Sequence, residues 1–143
     1  QSQNASHREL AITLFHTLCD SIPDQIEKQF DMLQKVLVNG LSDSAPQVRV
    51  AALKGIGGLI TLVDLHDESM KVDPSMMPAL VNLAQQCCAS GDEDLAVSAF
   101  DIFQELIEVQ PNSVQPHIAT LVPFVLQVAS MKELDVHTRN KAL

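Results

Sequence analysis

An apolar pattern that recurs along the chain constrains its fold more than any other feature of the sequence. In the stretch "VRVAALKGIGGLI", residues 48–60, apolar residues stand at the first, fifth, sixth, ninth, twelfth and thirteenth positions. Copies of this pattern start at residues 7, 48, 95 and 138, so the intervals are 41, 47 and 43 residues. The spacing within each copy places the apolar positions on one side of an α-helix. Internal similarity at about 40–47 residues is typical of arrays of paired helices.

A second helical pattern lies between consecutive copies, so the sequence predicts an all-α fold: a solenoid of antiparallel helix pairs with about three repeats. Residues 1–143 are expected to form a single array. Pro23, Pro46 and Pro111 mark helix starts, whereas Pro123 lies inside a predicted helix, which it should kink or delay. The predicted second helices of the pairs lie near 7–20, 45–63, 93–109 and 135–143, and the first helices lie near 24–41, 75–89 and 114–131.

Three glycines within four positions, Gly55, Gly57 and Gly58, raise the alternative of a phosphate-binding loop. Such a loop requires glycines between a strand and a helix, with backbone N–H groups that face the anion. Here the glycines lie inside a helical pattern and match neither G-x-G-x-x-G nor the form that ends in Lys-Ser/Thr. Each glycine costs about 0.8–1 kcal/mol against Ala in a helix. We therefore expect a close approach of a neighbouring backbone or of a partner.

Charge and cysteine content narrow the functional class. The chain carries 18 acidic against 9 basic residues, a net charge of −9. This balance argues against direct binding of nucleic acid and favours basic partners. Three cysteines, Cys19, Cys87 and Cys88, form no regular framework, which indicates reduced thiols in a cytosolic or nuclear protein. No apolar run approaches the length of a membrane span, so no membrane partner is expected.

Motifs for catalysis or metal binding are missing from the sequence. His16 and Cys19 lie three residues apart on one predicted helix, but no second pair stands at metal-ligand spacing. No Ser/His/Asp set is discernible. We therefore expect no catalytic residue, no metal and no cofactor, and a protein that is not an enzyme.

The residues that carry the pattern resemble a known family. D-x-x-P-x-V-R-x-x-A-L at 43–53 resembles the turn and second helix of a HEAT repeat. The stretch "DEDLAVSAFDIFQELIEVQPNSVQPHIATLVPFVLQVA", residues 92–129, is similar to the N-terminal half of importin-β-type (karyopherin) nuclear transport receptors. Within that family it is most similar to the importin-four group, with importin-five close. One departure is Ala96, which stands where the other copies have Arg8, Arg49 and Arg139.

This resemblance implies a non-enzymatic receptor that moves between cytoplasm and nucleus. Members carry cargo through nuclear pores, bind the GTPase Ran in its GTP form, and contact Phe-Gly nucleoporins. Histones and ribosomal proteins are typical cargoes of the group. The resemblance places this segment just after the first few repeats, so the strongest Ran contacts are expected elsewhere in the full-length receptor.

Candidate cargo-binding residues come from the second helices, because these usually line the concave face of a solenoid. On a wheel of about 100° per residue, three acids fall opposite the apolar side of the helix near 93–109. We call Asp101, Glu105 and Glu108 the acidic stripe, and we expect it to bind Lys and Arg of a basic cargo. A solvated face is the alternative, as is an exposed ion pair between Asp101 and Lys54. The same region one repeat earlier supplies the other candidates: Lys54, Gly57, Gly58 and Thr61.

Other functions remain open at this stage. HEAT arrays also form scaffold subunits of phosphatase-type or chromosome-type complexes. Tubulin-binding HEAT modules are less favoured, because they use basic and aromatic turn residues and this chain has no Trp. The turn near Asp67 and Glu68 is acidic and is expected to be solvated. Open ends of an array expose apolar helix faces, which predicts self-association of the fragment.

Overall fold

The computed structural model of the chain describes residues 2–65 and 70–143, and every regular element in these two ranges is helical. The predicted all-α, HEAT-like class is confirmed. None of the helices in the described part is long and apolar enough to cross a bilayer. The elements are α1 Ser2–Ser21, α2 Pro23–Glu27, α3 Phe30–Leu41, α4 Pro46–Leu65, α5 Met76–Ser90, α6 Glu93–Val109, α7 Pro111–Val114, a 3-10 turn Gln115–His117, α8 Ile118–Ser130 and α9 Val136–Lys141.

The chain divides into two compact units, Gln1–Met76 and Met77–Leu143. In the first unit, α4 packs against both α1 and α3, and α2 packs against α1. The apolar positions of the recurring pattern on α4 face these neighbours, as its helical spacing predicts. The most deeply buried apolar side chains of this unit include Cys19, Leu37, Leu41, Val48, Ala52, Leu53, Ile56, Leu59 and Ile60.

Glycines, which have no side chain, allow α3 and α4 to lie close together. A Cβ placed on Gly40 of α3 would lie 2.8 Å from the Cβ of Ala52 on α4. A Cβ placed on Gly55 of α4 would lie 2.6 Å from Cδ2 of Leu37 on α3. Both distances are shorter than an ordinary contact. At Gly40 the neighbour is the fixed Cβ of Ala52, so a larger residue would push α3 and α4 apart, whereas at Gly55 the end of the Leu37 side chain would have to shift. The close neighbour of Gly55 is thus a side chain, and not the backbone or partner that the sequence led us to expect.

A buried glutamine fixes the segment that precedes α5. Gln34 of α3 is only 2% exposed. Its Nε2 donates to the backbone carbonyl of Lys71 (3.1 Å), and its Oε1 accepts from the backbone N–H of Asp73 (2.6 Å). Both ends of the amide are thus satisfied, as burial of a polar side chain requires. The chain leaves this segment through a turn in which Asp73 Oδ1 accepts from the N–H of Ser75 (2.8 Å).

In the second unit, α6 packs against α7 and α9, and α8 packs against α9. Aromatic rings fill much of this core: the Phe100 ring lies 6.1 Å from that of Phe103 and 6.0 Å from that of Phe124, between centroids. Leu106 and Val128 are each 1% exposed. Offset contacts between rings add to the free energy gained from burial alone.

Backbone geometry explains where α5 ends and where the stretch around Pro123 is divided. Gly91 follows α5 with a φ of +75°, and the N–H of Asp92 bonds to the carbonyl of Cys87 (3.0 Å), which is the Schellman ending of a helix. The stretch that contains Pro123 is divided into α7, a 3-10 turn and α8. Pro123 lies inside α8, and because it has no N–H, the carbonyl of Ala119 lacks its helical donor.

Candidate functional site

The acidic stripe lies on the exposed side of α6. Glu105 and Glu108 are exposed and Asp101 is half-buried. The opposite side of the helix is buried, as the wheel predicts, with one exception. Ile107 stands at the thirteenth position of the recurring pattern, which predicts burial, but it is 50% exposed because it lies at the edge of the buried arc. The buried residues of α6 are Leu95, Ala96, Ala99, Phe100, Ile102, Phe103 and Leu106.

The three carboxylates of the stripe are close enough to affect one another. The pKa of Glu105 is raised above its ordinary value, first by partial burial and then by the charges of Asp101 and Glu108. Like charges disfavour the ionised form of a neighbouring carboxyl, which is the physical cause of the second effect. Gln104 reaches along the helix and its Nε2 lies 3.4 Å from Oε1 of Glu108. The stripe is thus a patch of negative charge in which a cation would relieve repulsion.

One carboxylate of the stripe already has a cationic partner. Nζ of Lys141 on α9 lies 2.5 Å from Oδ1 of Asp101, and both side chains are partly exposed. The sequence suggested Lys54 as an internal partner of Asp101, whereas the ion pair observed within the second unit is with Lys141. In the recurring pattern Lys141 occupies the position of Ala51 on α4, so the pairing follows from α6 and α9 being neighbours.

The candidates on α4 separate into exposed and buried positions. Lys54 and Thr61 are exposed, and the Thr61 hydroxyl donates to the carbonyl of Gly57 (3.1 Å), which is half-buried. Gly58 is buried, which corrects its placement on an open inner face. A Cβ at Gly58 would lie 2.7 Å from Nδ1 of His16 on α1, so the absence of a side chain there makes room for that ring.

His16 and Cys19 both lie against α4, close to Gly58. Nδ1 of His16 is buried and has no hydrogen-bond partner among the described residues. Within residues 2–65 and 70–143 no group of three or more His, Cys, Asp or Glu side chains is placed to hold a metal ion. The acidic turn at Asp67 and Glu68 lies outside the described residues.

Sequence reasoning missed an ion pair that ties α1 to the turn before α4. Arg8 donates to Asp43 through Nε (2.7 Å to Oδ2) and through Nη2 (2.8 Å to Oδ1). Oδ1 of Asp43 also accepts from the N–H of Ala45 (2.9 Å), and Arg49 Nη1 donates to the carbonyl of Asp43 (2.9 Å). The bond from Arg8 and that from Ala45 hold the pKa of Asp43 below its usual value. The recurring Arg of the pattern was a signal that could have identified this pair.

The second unit contains a corresponding tie with different chemistry. Oε2 of Glu93, at the start of α6, accepts from the N–H of Asp135 (2.9 Å) and from the hydroxyl of Thr138. Asp135 in turn caps α9, since its Oδ1 accepts from the N–H of His137 (2.7 Å). The sequence pattern does not predict this contact of Glu93, because a carboxylate at the start of a helix is already explained by its interaction with the helix dipole.

The structure is that of a helical-repeat protein: its helices are paired, and side chains of one second helix bind the turn before the next. A family model described as "IPO5-like, TPR repeats" matches residues 1–124. The chain belongs to this family, which consists of repeats of importin-type transport receptors, and the resemblance to the importin-β family is confirmed. The family is generally non-enzymatic and of the nucleocytoplasmic shuttling type. No curated protein and no solved structure was found to match the chain.

Proposed function

We propose that the chain is a cargo-contacting segment of a nuclear import receptor, and that its acidic stripe binds Lys and Arg side chains of basic cargo such as histones or ribosomal proteins. The observation that carries this proposal is the position of Asp101, Glu105 and Glu108 together on the outward side of α6, where Nζ of Lys141 lies 2.5 Å from Oδ1 of Asp101. Burial and the two neighbouring carboxylates raise the pKa of Glu105, which accords with repulsion within the stripe. A cargo cation would stabilise the charged form that the unbound stripe penalises. Charge-assisted contacts of this kind suit an extended basic chain.

The ion pair between Asp101 and Lys141 supports the same chemistry. It shows an ammonium group seated on the stripe at 2.5 Å. Because both side chains are partly exposed, solvent screens this pair and its net contribution is about 0–1 kcal/mol. A cargo Lys or Arg can therefore replace Lys141 at small cost. Glu105 and Glu108 remain exposed to the same cargo.

The family also bears on the other partners of the receptor. Ran in its GTP form and Phe-Gly nucleoporins are proposed partners of the full-length receptor, in the cytoplasm and the nucleus. Lys54, Gly57 and Thr61 are proposed as cargo contacts on α4, since Lys54 and Thr61 are exposed and Gly57 is only half-buried. Gly58 is not carried into this proposal, because its open side is filled by His16.

The test is binding of a basic histone-tail peptide to the chain at low and at physiological salt. The variant Asp101→Lys, Glu105→Lys, Glu108→Lys reverses the stripe. The matched control Asp24→Lys, Glu27→Lys, Asp31→Lys makes the same charge change at exposed positions of the first unit. If each of three exposed pairs contributes about 0.2–1 kcal/mol, reversal should weaken binding by between about three-fold and a hundred-fold.

The salt dependence and the control decide the result. Binding through the stripe should weaken steeply toward physiological salt, because exposed charges are screened. The control variant should then keep most of the affinity. Equal loss in both variants would indicate non-specific attraction to net charge, and no binding by the unaltered chain would leave a scaffold function as the better interpretation.

A further inference from the structure

We propose that Lys141 of α9 is an internal competitor for the acidic stripe: in the free chain its ammonium group occupies Asp101, and basic cargo gains this carboxylate only by displacing it. This proposal rests on the proposed cargo binding and adds a regulation of the same site, because the contact holds the affinity of the free chain for basic cargo below that of an unoccupied stripe. Three features of the second unit support it.

The first feature is the contact itself. Nζ of Lys141 lies 2.5 Å from Oδ1 of Asp101, and the two side chains are 31% and 45% exposed. Water and dissolved ions therefore reach the pair and weaken it, as they do other ion pairs at the surface. The ammonium group thus occupies the stripe in the free chain and can be exchanged for another cation.

The second feature is that the packing of α6 against α9 does not require this ion pair. In the recurring pattern Asp101 and Lys141 stand at the positions of Thr13 on α1 and Ala51 on α4. The helices α1 and α4 are also consecutive second helices that pack against each other, but neither of these two side chains is charged. Consecutive second helices of this chain therefore pack with or without an ion pair at this place.

The third feature is that α9 is held in position by other contacts. Oε2 of Glu93 on α6 accepts from the N–H of Asp135 (2.9 Å) and from the hydroxyl of Thr138. Thr138 and Ala142 are buried. The lysine side chain is a flexible four-carbon stem, so the ammonium group of Lys141 can leave Asp101 by rotation of this one side chain, while α9 remains against α6.

The rest of the stripe gives cargo a place to bind beside Asp101. Glu105 and Glu108 are exposed. The rise of an α-helix places Glu105 about 6 Å from Asp101 along the axis of α6. Side chains on the same side of an extended chain are about 7 Å apart. A cargo segment with one cation at Glu105 therefore brings its next cation on that side to Asp101, where it competes with Lys141 for the carboxylate.

The experiment measures binding of the basic histone-tail peptide at low salt to the unaltered chain, to Lys141→Gln and to the matched control Lys132→Gln. Each variant removes one positive charge, and Lys132 is an exposed residue between α8 and α9. Removal of a competitor held by a surface ion pair should tighten peptide binding about two- to six-fold for Lys141→Gln. Lys132→Gln should cause a clearly smaller gain. Equal gains would be an effect of net charge and would overturn the internal competitor, while cargo binding itself would stand.

Asp101→Asn then tests whether the two cations compete for this carboxylate. In chains that carry Asp101→Asn, Lys141→Gln should tighten binding no more than Lys132→Gln does, because the contact that it removes is already absent. A gain from Lys141→Gln that persists without Asp101 would show simple repulsion of cargo by Lys141 and would overturn the displacement. Absence of peptide binding by every one of these chains would overturn the proposed function and the internal competitor together.

Discussion

In each unit, a side chain on one second helix binds the segment that leads into the next second helix. This side chain is a cation in the first unit and a carboxylate in the second. In the first unit a cation on α1, Arg8, reaches a carboxylate in the turn, Asp43. In the second unit a carboxylate on α6, Glu93, accepts from the N–H of Asp135 in the turn and from the hydroxyl of Thr138 in α9. The Arg slot is occupied there by Ala96, which is fully buried. The comparison teaches that both units join one second helix to the segment that begins the next, although the residues used and their charges differ between the units.

Packing differs between the units in a similar way. The first unit brings α3, α4 and α1 together through positions that lack a side chain, such as Gly40 and Gly55. The core of the second unit contains instead the neighbouring rings of Phe100, Phe103 and Phe124. Close backbone approach tolerates no added atom, whereas an aromatic core is sensitive to removal of atoms. The units should therefore respond oppositely to changes in side-chain volume.

The largest expected effect is that of Gly40→Ala. Its Cβ would meet the Cβ of Ala52 at 2.8 Å, and Ala52 cannot rotate away, so α3 and α4 must separate. Overpacking of this kind costs about 1–3 kcal/mol, and better helix propensity returns about 1 kcal/mol. We expect a net loss of up to about 2 kcal/mol in the free energy of unfolding, measured by urea denaturation. Gly55→Ala should cost less, since Cδ2 of Leu37 is the end of a flexible side chain.

Gly91→Ala is the matched change in the second unit. No atom lies within 4 Å of the added Cβ, but the φ of +75° disfavours any residue except glycine. Its cost of about 1 kcal/mol should arise from the backbone alone. If Gly40→Ala cost no more than Gly91→Ala, the proposed role of close approach in the first unit would be wrong.

The next effect tests the tie in the second unit. Glu93→Ala removes the acceptor for Asp135 N–H and Thr138 hydroxyl. Thr138 is 2% exposed, so its hydroxyl would be left without this partner. Hydrogen bonds to a charged group contribute about 1.5–3 kcal/mol, and partial exposure places this loss near the lower end. Exchange of α9 amides should accelerate, whereas Glu133→Ala at a nearby exposed position should leave them unchanged.

The tie in the first unit predicts a dependence on pH. The pKa of Asp43 is lowered from 3.8 by the bond from Arg8 and then by the bond from Ala45 N–H. Well above pH 3.8, Asp43 is ionised in both the folded and the unfolded state, and its contribution to stability is complete. This contribution is lost as the pH falls through the lower folded-state pKa, because the unfolded chain takes up the proton first. Asp43→Asn should destabilise the protein at pH 7, with a loss that shrinks below about pH 4. Urea titrations from pH 7 to pH 3 check this, and a constant difference would contradict it.

The period and spacing of the apolar pattern were enough to predict the helical class, because α4 buries every residue that the pattern selects and α6 buries all of them except Ile107. The contacts across helices were harder to predict. Gly58 looked like an open surface position on a wheel, since a wheel contains no neighbouring helix, and His16 fills that space. Lys141 was not paired with Asp101 for the same reason. The recurring Arg was visible in the sequence, but its partner depends on which turn lies beside α1.

The smallest expected effect concerns Glu105 in the acidic stripe. Its pKa is raised by burial and by its two neighbouring carboxylates. The charged form of Glu105 therefore destabilises the folded state at neutral pH. This penalty disappears as the pH falls through the folded-state pKa toward the unfolded-state pKa, because the side chain is then protonated in both states. Glu105→Gln should therefore stabilise the chain at pH 7, by less than about 1 kcal/mol because the side chain is exposed. The gain should vanish near pH 4, and Glu133→Gln outside the stripe should show none.

The same change separates stability from binding. If the stripe binds basic cargo, Glu105→Gln should raise the unfolding midpoint while it weakens binding of the histone-tail peptide. A side chain that costs stability in the free protein and is used only in the complex produces this opposition. A gain in stability with unchanged peptide binding would mean that the repulsion at Glu105 is not relieved by cargo. The stripe would then be a solvated face on which Lys141 pairs with Asp101.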